Sequence, residues 1–228
     1  MTTLLMKEKM IAFVFIVLLV LTLSYAQKDC SGEQCQALSA FGTALKRDFE
    51  GSSLIFVSGG IRAKNIVITT VNVYTVSLYV SDELENQLKN DNVTDNFDGY
   101  FTGRESQDVS FAITLTFLRN VGKGTMIDAL IKALSGQGNS AYEESVHEFK
   151  EALLSSISSS GINKGDELSF VWRGDQLGVA AKGERVWISN ADLAKRLASV
   201  YLGASPVAPD VLANLRRFAL SSPSSSVA

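Results

Sequence analysis

One histidine and two cysteines are all that this 228-residue chain offers of the side chains that most often hold metals or drive nucleophilic catalysis. With His147 as the single histidine, no second Cys or His pair exists to complete a tetrahedral site, and neither a metal nor another cofactor is expected. A triad built on histidine has only His147 to use. That residue sits in "EESVHEFKE", one position past Val146 and toward the polar flank of a predicted helix, where a solvated imidazole is expected. A P-loop and a dinucleotide-binding glycine fingerprint are also missing, and with them the phosphate cradles that those motifs build. Charge of one sign is scarce too. The 21 basic and 24 acidic residues are scattered, with no basic stripe interleaved with aromatics, so nucleic acid is not an expected partner.

Long apolar runs are absent except at the start. Lys7 and Lys9 precede "MIAFVFIVLLVLTL", and "SYA" then sets small residues at the −3 and −1 positions before Gln27. Residues 1–26 therefore read as a cleaved signal peptide, placing the protein in the secretory pathway, secreted or lumenal. The run is short for a spanning helix, and a membrane becomes a partner only if this segment is retained. Cleavage leaves a mildly acidic chain, which argues against peripheral binding to anionic membranes. Cys30 and Cys35 in "CSGEQC" suit a small local disulfide in an oxidising compartment, half a metal site being the rival reading. "NVT" makes Asn92 a glycosylation sequon for an exported chain.

Beyond an N-terminal segment at 27–51 that carries the cysteine pair, the pattern divides into short strands and helices. Residues 36–47 suggest a short helix, and an extended run begins at Leu54, with a bend or bulge expected at Gly59–Gly60. Residues 66–80 are rich in Val, Ile, Thr and Tyr, with Asn72, Tyr74, Val76, Leu78 and Val80 on one face. Asp82, with Glu85 three positions on, offers a capping-box start for a helix over 81–90, Ser81 being the other cap candidate. Strict alternation of Val109, Phe111, Ile113, Leu115 and Phe117 predicts a strand, and 124–135 and 140–158 read as helices. "RGDQLGVAAKGERVWISN" reads as hairpin strands, its RGD being turn chemistry. Two more helices follow, the first capped by Asn190 or Ser189 and closed by Gly203, before a polar, disordered tail at 220–228. Grouped rather than alternating elements predict an α+β fold, a largely antiparallel β-sheet packed by a helical layer.

Arg62 stands out at the entrance to an apolar stretch of sheet. A guanidinium stays charged, so a buried one needs an anionic partner or dense hydrogen bonding. Either it is exposed or paired with Asp48 or Glu50, or it points into a cleft toward a ligand's anionic group.

Two stretches bear on that choice. "GGIRAKNIVITTVNVYTVSLYV" and, far downstream, "LAKRLASVYLGASPVAPDVLANL" resemble the chalcone isomerase-like family, with the intervening elements in the expected order over residues 52–219. The resemblance implies an open-faced sandwich of antiparallel sheet and helices with the ligand between them. In chalcone isomerases, intramolecular lyases, the matching arginine stabilises the phenolate that closes a flavanone ring. A strand threonine, a tyrosine and asparagine on a helix, and a late hydroxyl residue assist it. Here Arg62 matches, but Tyr74 stands at the threonine position, Val200 at the late hydroxyl position, and "GTMIDALIKAL" contains neither tyrosine nor asparagine. The chain is closer to the fatty-acid-binding branch, which keeps an arginine and a strand tyrosine. The resemblance thus implies a small amphipathic anion such as a fatty acid, held by Arg62 and Tyr74, without isomerase activity. The alternatives are an isomerase with substituted groups and an interaction protein with a vestigial cleft.

Overall fold

The structure, a computed structural model, describes residues 44–66, 69–91, 97–102, 108–135, 142–181 and 185–221. The signal-peptide stretch, Cys30, Cys35, the Asn92 sequon and nearly all of the polar tail lie outside them. Among the described residues seven strands form one sheet: β1 (Lys46–Phe49), β2 (Ser52–Ile66), β3 (Thr69–Val80), β4 (Val109–Phe117), β5 (Glu167–Arg173), β6 (Gln176–Ala180) and β7 (Val186–Ser189). Their spatial order is their order in sequence, and every neighbouring pair is antiparallel. The helices are α1 (Asp82–Asn90), α2 (Phe97–Phe101), α3 (Lys123–Ser135), α4 (Tyr142–Ser156), α5 (Ala191–Leu202) and α6 (Pro209–Leu220). The expected α+β architecture is the observed one. The sheet begins at Lys46, inside the stretch 27–51, and the helix expected to end at residue 47 gives way there to β1. Glu50 and Gly51 join β1 to β2 as a two-residue loop, both at positive φ (57° and 82°), the geometry of a hairpin turn whose twist matches its strands.

Alternation along the strands separates two faces. On one, Tyr74, Val76, Leu78 and Val80 of β3 join Phe111, Ile113, Leu115 and Phe117 of β4, and Leu168, Phe170 and Trp172 of β5, in a core completed by the helices. Within it Phe111 stacks on Trp172 at 4.3 Å, and the Trp172 Nε1–H donates to the Ala194 carbonyl of α5 at 2.9 Å. The other face carries Phe49, Leu54, Phe56, Tyr79, Ala112 and Val171, all buried. There Arg47 of β1 ion-pairs with Glu167 of β5. In a flat sheet four strand spacings would separate them by about 19 Å, far beyond the reach of the two side chains. The sheet must curl toward this face into a half-barrel, and Glu50 helps hold the curl by accepting from Arg173 (2.5 Å) and Arg185 (2.8 Å).

Two local expectations are corrected. The register shifts between β2 and β3 fall at Phe56/Ser58, where Val57 is the extra residue in β2, and at Arg62/Ala63, where Val73 is the extra residue in β3, rather than at Gly59–Gly60. The glycines meet a helix: a Cβ on Gly60 would stand 2.8 Å from the Val211 backbone nitrogen and 2.9 Å from Val211 Cγ2. The Ser58 hydroxyl donates to the Val211 carbonyl and the Asn214 amide donates to the Gly59 carbonyl, each at 2.6 Å, fastening α6 to the strand. For α1 the cap is Ser81, whose hydroxyl accepts from the Leu84 N–H at 3.3 Å. What the helix start needs is an acceptor for a free backbone donor, and Ser81 reaches it, leaving Asp82, Glu83 and Glu85 to complement the dipole of the first turn. Asn190 caps α5 as expected, and Gly203 closes it through a bond to the Ser199 carbonyl.

Candidate functional site

The bulge at Phe56/Ser58 decides where Arg62 points. Before it, the even-numbered Leu54 and Phe56 face the concave side of the half-barrel; after it, Ser58, Gly60 and Arg62 engage α6 and the segment before it. One extra residue exchanges the faces of everything downstream. Arg62 consequently lies opposite Tyr74 on β3, and both belong to the helix-covered side.

Arg62 is half-buried, and its Nη1 donates to the Val207 carbonyl at 2.8 Å. Val207 belongs to the connection between α5 and α6, and its own N–H donates to the Val200 carbonyl at 2.9 Å. The two carboxylates considered from sequence are engaged elsewhere. Asp48 accepts from the Gly51 N–H at 3.0 Å, and Glu50 serves Arg173 and Arg185. Among the described residues the guanidinium of Arg62 has no carboxylate partner.

Tyr74 is buried, with its ring 5.5 Å from that of Phe117. Burial raises its pKa above the ordinary tyrosine value, while neighbouring Tyr201 and Arg62 pull in the opposite direction. Tyr201 is the residue that sequence reading passed over. It lies on the inner face of α5, fully buried, its ring 6.3 Å from Phe170. Burial pushes its pKa well above the ordinary value; Tyr74 adds to the shift and Arg62 opposes it. The two phenols interact, yet among the described residues the Tyr201 hydroxyl completes no hydrogen bond. The available signal was a tyrosine at i+4 from Leu197 and i+8 from Leu193, on a face where leucine would pack without a polar atom.

The site therefore combines a fixed positive charge with two protonated phenols, set at the edge of an apolar interior. That interior includes Val76, Leu115, Phe117, Met126, Leu130 and Leu197. Such a set can receive an oxyanion through charge-assisted hydrogen bonds and bury an attached hydrocarbon. Val200 is 5 % exposed and brings no hydroxyl, and α3 carries neither tyrosine nor asparagine. His147 is exposed on α4, as expected. Gly174 and Asp175 of the RGD string form the β5–β6 turn, with Arg173 held by Glu50. No cluster of three or more metal-ligating side chains occurs among the described residues. A cavity of about 100 Å³, lined by Thr102, Trp172, Asp175 and Lys195, lies at the opposite end of α5 from Tyr201.

No curated protein matches this chain. Among solved structures, an Arabidopsis thaliana fatty-acid binding protein has a similar fold. Its TM-score is 0.56 at 15 % sequence identity, over 76 % of this chain and 97 % of that one. The chalcone isomerase-like family model matches residues 39–215, a span that contains the half-barrel, Arg62, Tyr74 and Tyr201. With most of its length inside that match, the chain belongs to the chalcone isomerase-like family.

Proposed function

We propose that the protein binds a fatty acid or similar amphipathic anion between the sheet and the helices, its carboxylate received by Arg62 and Tyr74, and that it does not catalyse chalcone ring closure. One observation carries this reading: a half-buried guanidinium with no carboxylate partner among the described residues, opposite a buried tyrosine. A half-buried charge answered, among the described residues, only by a carbonyl leaves donors for an external anion. A carboxylate supplies two acceptor oxygens in one plane, the geometry that a guanidinium fork matches. Each methylene moved out of water adds about 0.8 kcal/mol, so affinity should climb with chain length until the interior is filled. The fold's likeness to a fatty-acid binding protein is in keeping with this ligand class. The absence of tyrosine and asparagine from α3 argues against carbonyl polarisation and water activation.

The test is titration of delipidated protein with labelled dodecanoate and hexadecanoate. Arg62→Ala should weaken binding by roughly 30-fold or more, the cost of losing one partner of a buried charge pair. Equal binding by the variant would end the reading. Flavanone formation from a hydroxychalcone faster than the spontaneous rate, and lost in Arg62→Ala, would instead establish an isomerase with substituted groups.

A further inference from the structure

Tyr201 is expensive where it stands. Its hydroxyl is fully buried and completes no hydrogen bond among the described residues, whereas phenylalanine would fill the same volume without that penalty. The ring already has its apolar packing from Phe170 and the inner face of α5. The hydroxyl therefore serves something other than stability, and its surroundings limit what that is. Tyr201 shares the core with Tyr74, the phenol it interacts with. Its neighbour in sequence, Val200, accepts through its carbonyl from the N–H of Val207, the residue whose carbonyl Arg62 holds.

Resting on the binding reading above, we infer that Tyr201 is a positioning residue of the anion anchor: its hydroxyl donates to the Tyr74 oxygen, so that Tyr74 presents its own proton to the carboxylate held by Arg62. Two phenols in series share two protons. If the outer proton goes to the ligand, the outer oxygen is left free to accept, and the Tyr201 proton, whose hydroxyl completes no bond elsewhere among the described residues, takes that place. Bonds arranged head to tail polarise one another, and the gain grows with the charge at the far end. The arrangement therefore favours a carboxylate over an uncharged headgroup of the same chain length. Burial acts in the same direction by keeping both phenols protonated.

Full-length protein carrying Tyr201→Phe, Tyr74→Phe or both is titrated with dodecanoate and with dodecanol, and the melting temperature of each ligand-free variant is recorded. Tyr201→Phe should weaken dodecanoate binding roughly three- to tenfold, less than the loss of a direct bond to a charged group. It should leave dodecanol binding unchanged and keep or raise the melting temperature. Because Tyr201 acts through Tyr74, the double variant should lose no more affinity than Tyr74→Phe alone. Additive losses, an equal effect on acid and alcohol, or undiminished dodecanoate binding by Tyr201→Phe would each overturn the role while leaving the binding reading intact. Wild-type protein that binds no dodecanoate overturns both.

Discussion

Replacing Gly60 with alanine tests the contact that sets α6 against the sheet. The added methyl would lie 2.8 Å from the Val211 nitrogen and 3.2 Å from Asp210 Cβ, both at the start of a helix that cannot rotate a single atom out of the way. Gly60 is not held at positive φ, so the backbone itself accepts alanine, and whatever cost appears comes from the contact. Forced separation of helix and strand costs about 1–3 kcal/mol as overpacking. It also stretches the two 2.6 Å bonds from Ser58 and Asn214, each worth about 0.5–1.5 kcal/mol. Stiffening of the unfolded chain returns about 0.4–1 kcal/mol. The net loss should be roughly 2–4 kcal/mol, a fall in melting temperature of about 4–16 °C for a domain of this size. Urea unfolding followed by the fluorescence of Trp172, which is 2 % exposed, reads it directly. Gly124→Ala is the control: nothing lies within 4 Å of its added Cβ on α3, so helix propensity alone should stabilise the protein by about 0.5–1 kcal/mol. If Gly60→Ala proves neutral or stabilising while Gly124→Ala behaves as stated, the close approach of α6 does not exist as described.

Alkaline pH supplies a second prediction. Tyr74 and Tyr201 hold their protons above the ordinary tyrosine range, so their contribution to stability is fully present below about pH 10, where unfolded tyrosine ionises. It is lost as pH rises through their folded values. Stability should fall more steeply above pH ~10 in the wild type than in the Tyr74→Phe/Tyr201→Phe double variant, and parallel curves would contradict the assignment. At the β1–β2 turn, Glu50→Ala should cost about 1 kcal/mol, shrinking with added salt because the carboxylate is about a third exposed. Glu50→Gly should cost less than Glu50→Ala, since glycine is at ease at φ 57°; the reverse order would show that strain there is unimportant. For the N-terminal region we propose export, with a mature terminus at Gln27, a Cys30–Cys35 disulfide and glycan on Asn92. Mass spectrometry of native protein that begins at Met1, with both thiols alkylated before reduction, would refute export and the bridge together.

Much of the scaffold was legible because its signals are local. Alternation named the faces correctly in β4 and in β3 from Tyr74 to Val80, since a side-chain period of two leaves little freedom once one face is buried. Before Tyr74 the extra residue Val73 breaks the alternation, and Val73, read onto the opposite face from Tyr74, packs against the core. Arg62 and Tyr74 were named together only through the family resemblance; that they lie opposite each other on neighbouring strands is seen in the structure alone. What escaped depends on distant partners. β1 is four residues long, too short to announce itself, and it is a strand because β2 lies beside it. Gly59–Gly60 looked like a bend, but the demand on Gly60 comes from a helix about 150 residues away. Tyr201 went unremarked, because helical spacing records burial and is silent on what a hydroxyl faces.

The Arg62–Val207 bond joins residues 145 positions apart, whereas every strand of the sheet pairs only with its neighbours in sequence. The two are expected to form at different times. Hairpin by hairpin, the sheet needs short loop closures, while the bond to Val207 waits for the last helices to dock. A chain emerging from the ribosome amino end first would complete its scaffold before its anchor. The ligand capture proposed above would then be among the last properties the molecule acquires, and a product that stops short of residue 207 would retain all seven strands but lack the carbonyl that Arg62 holds.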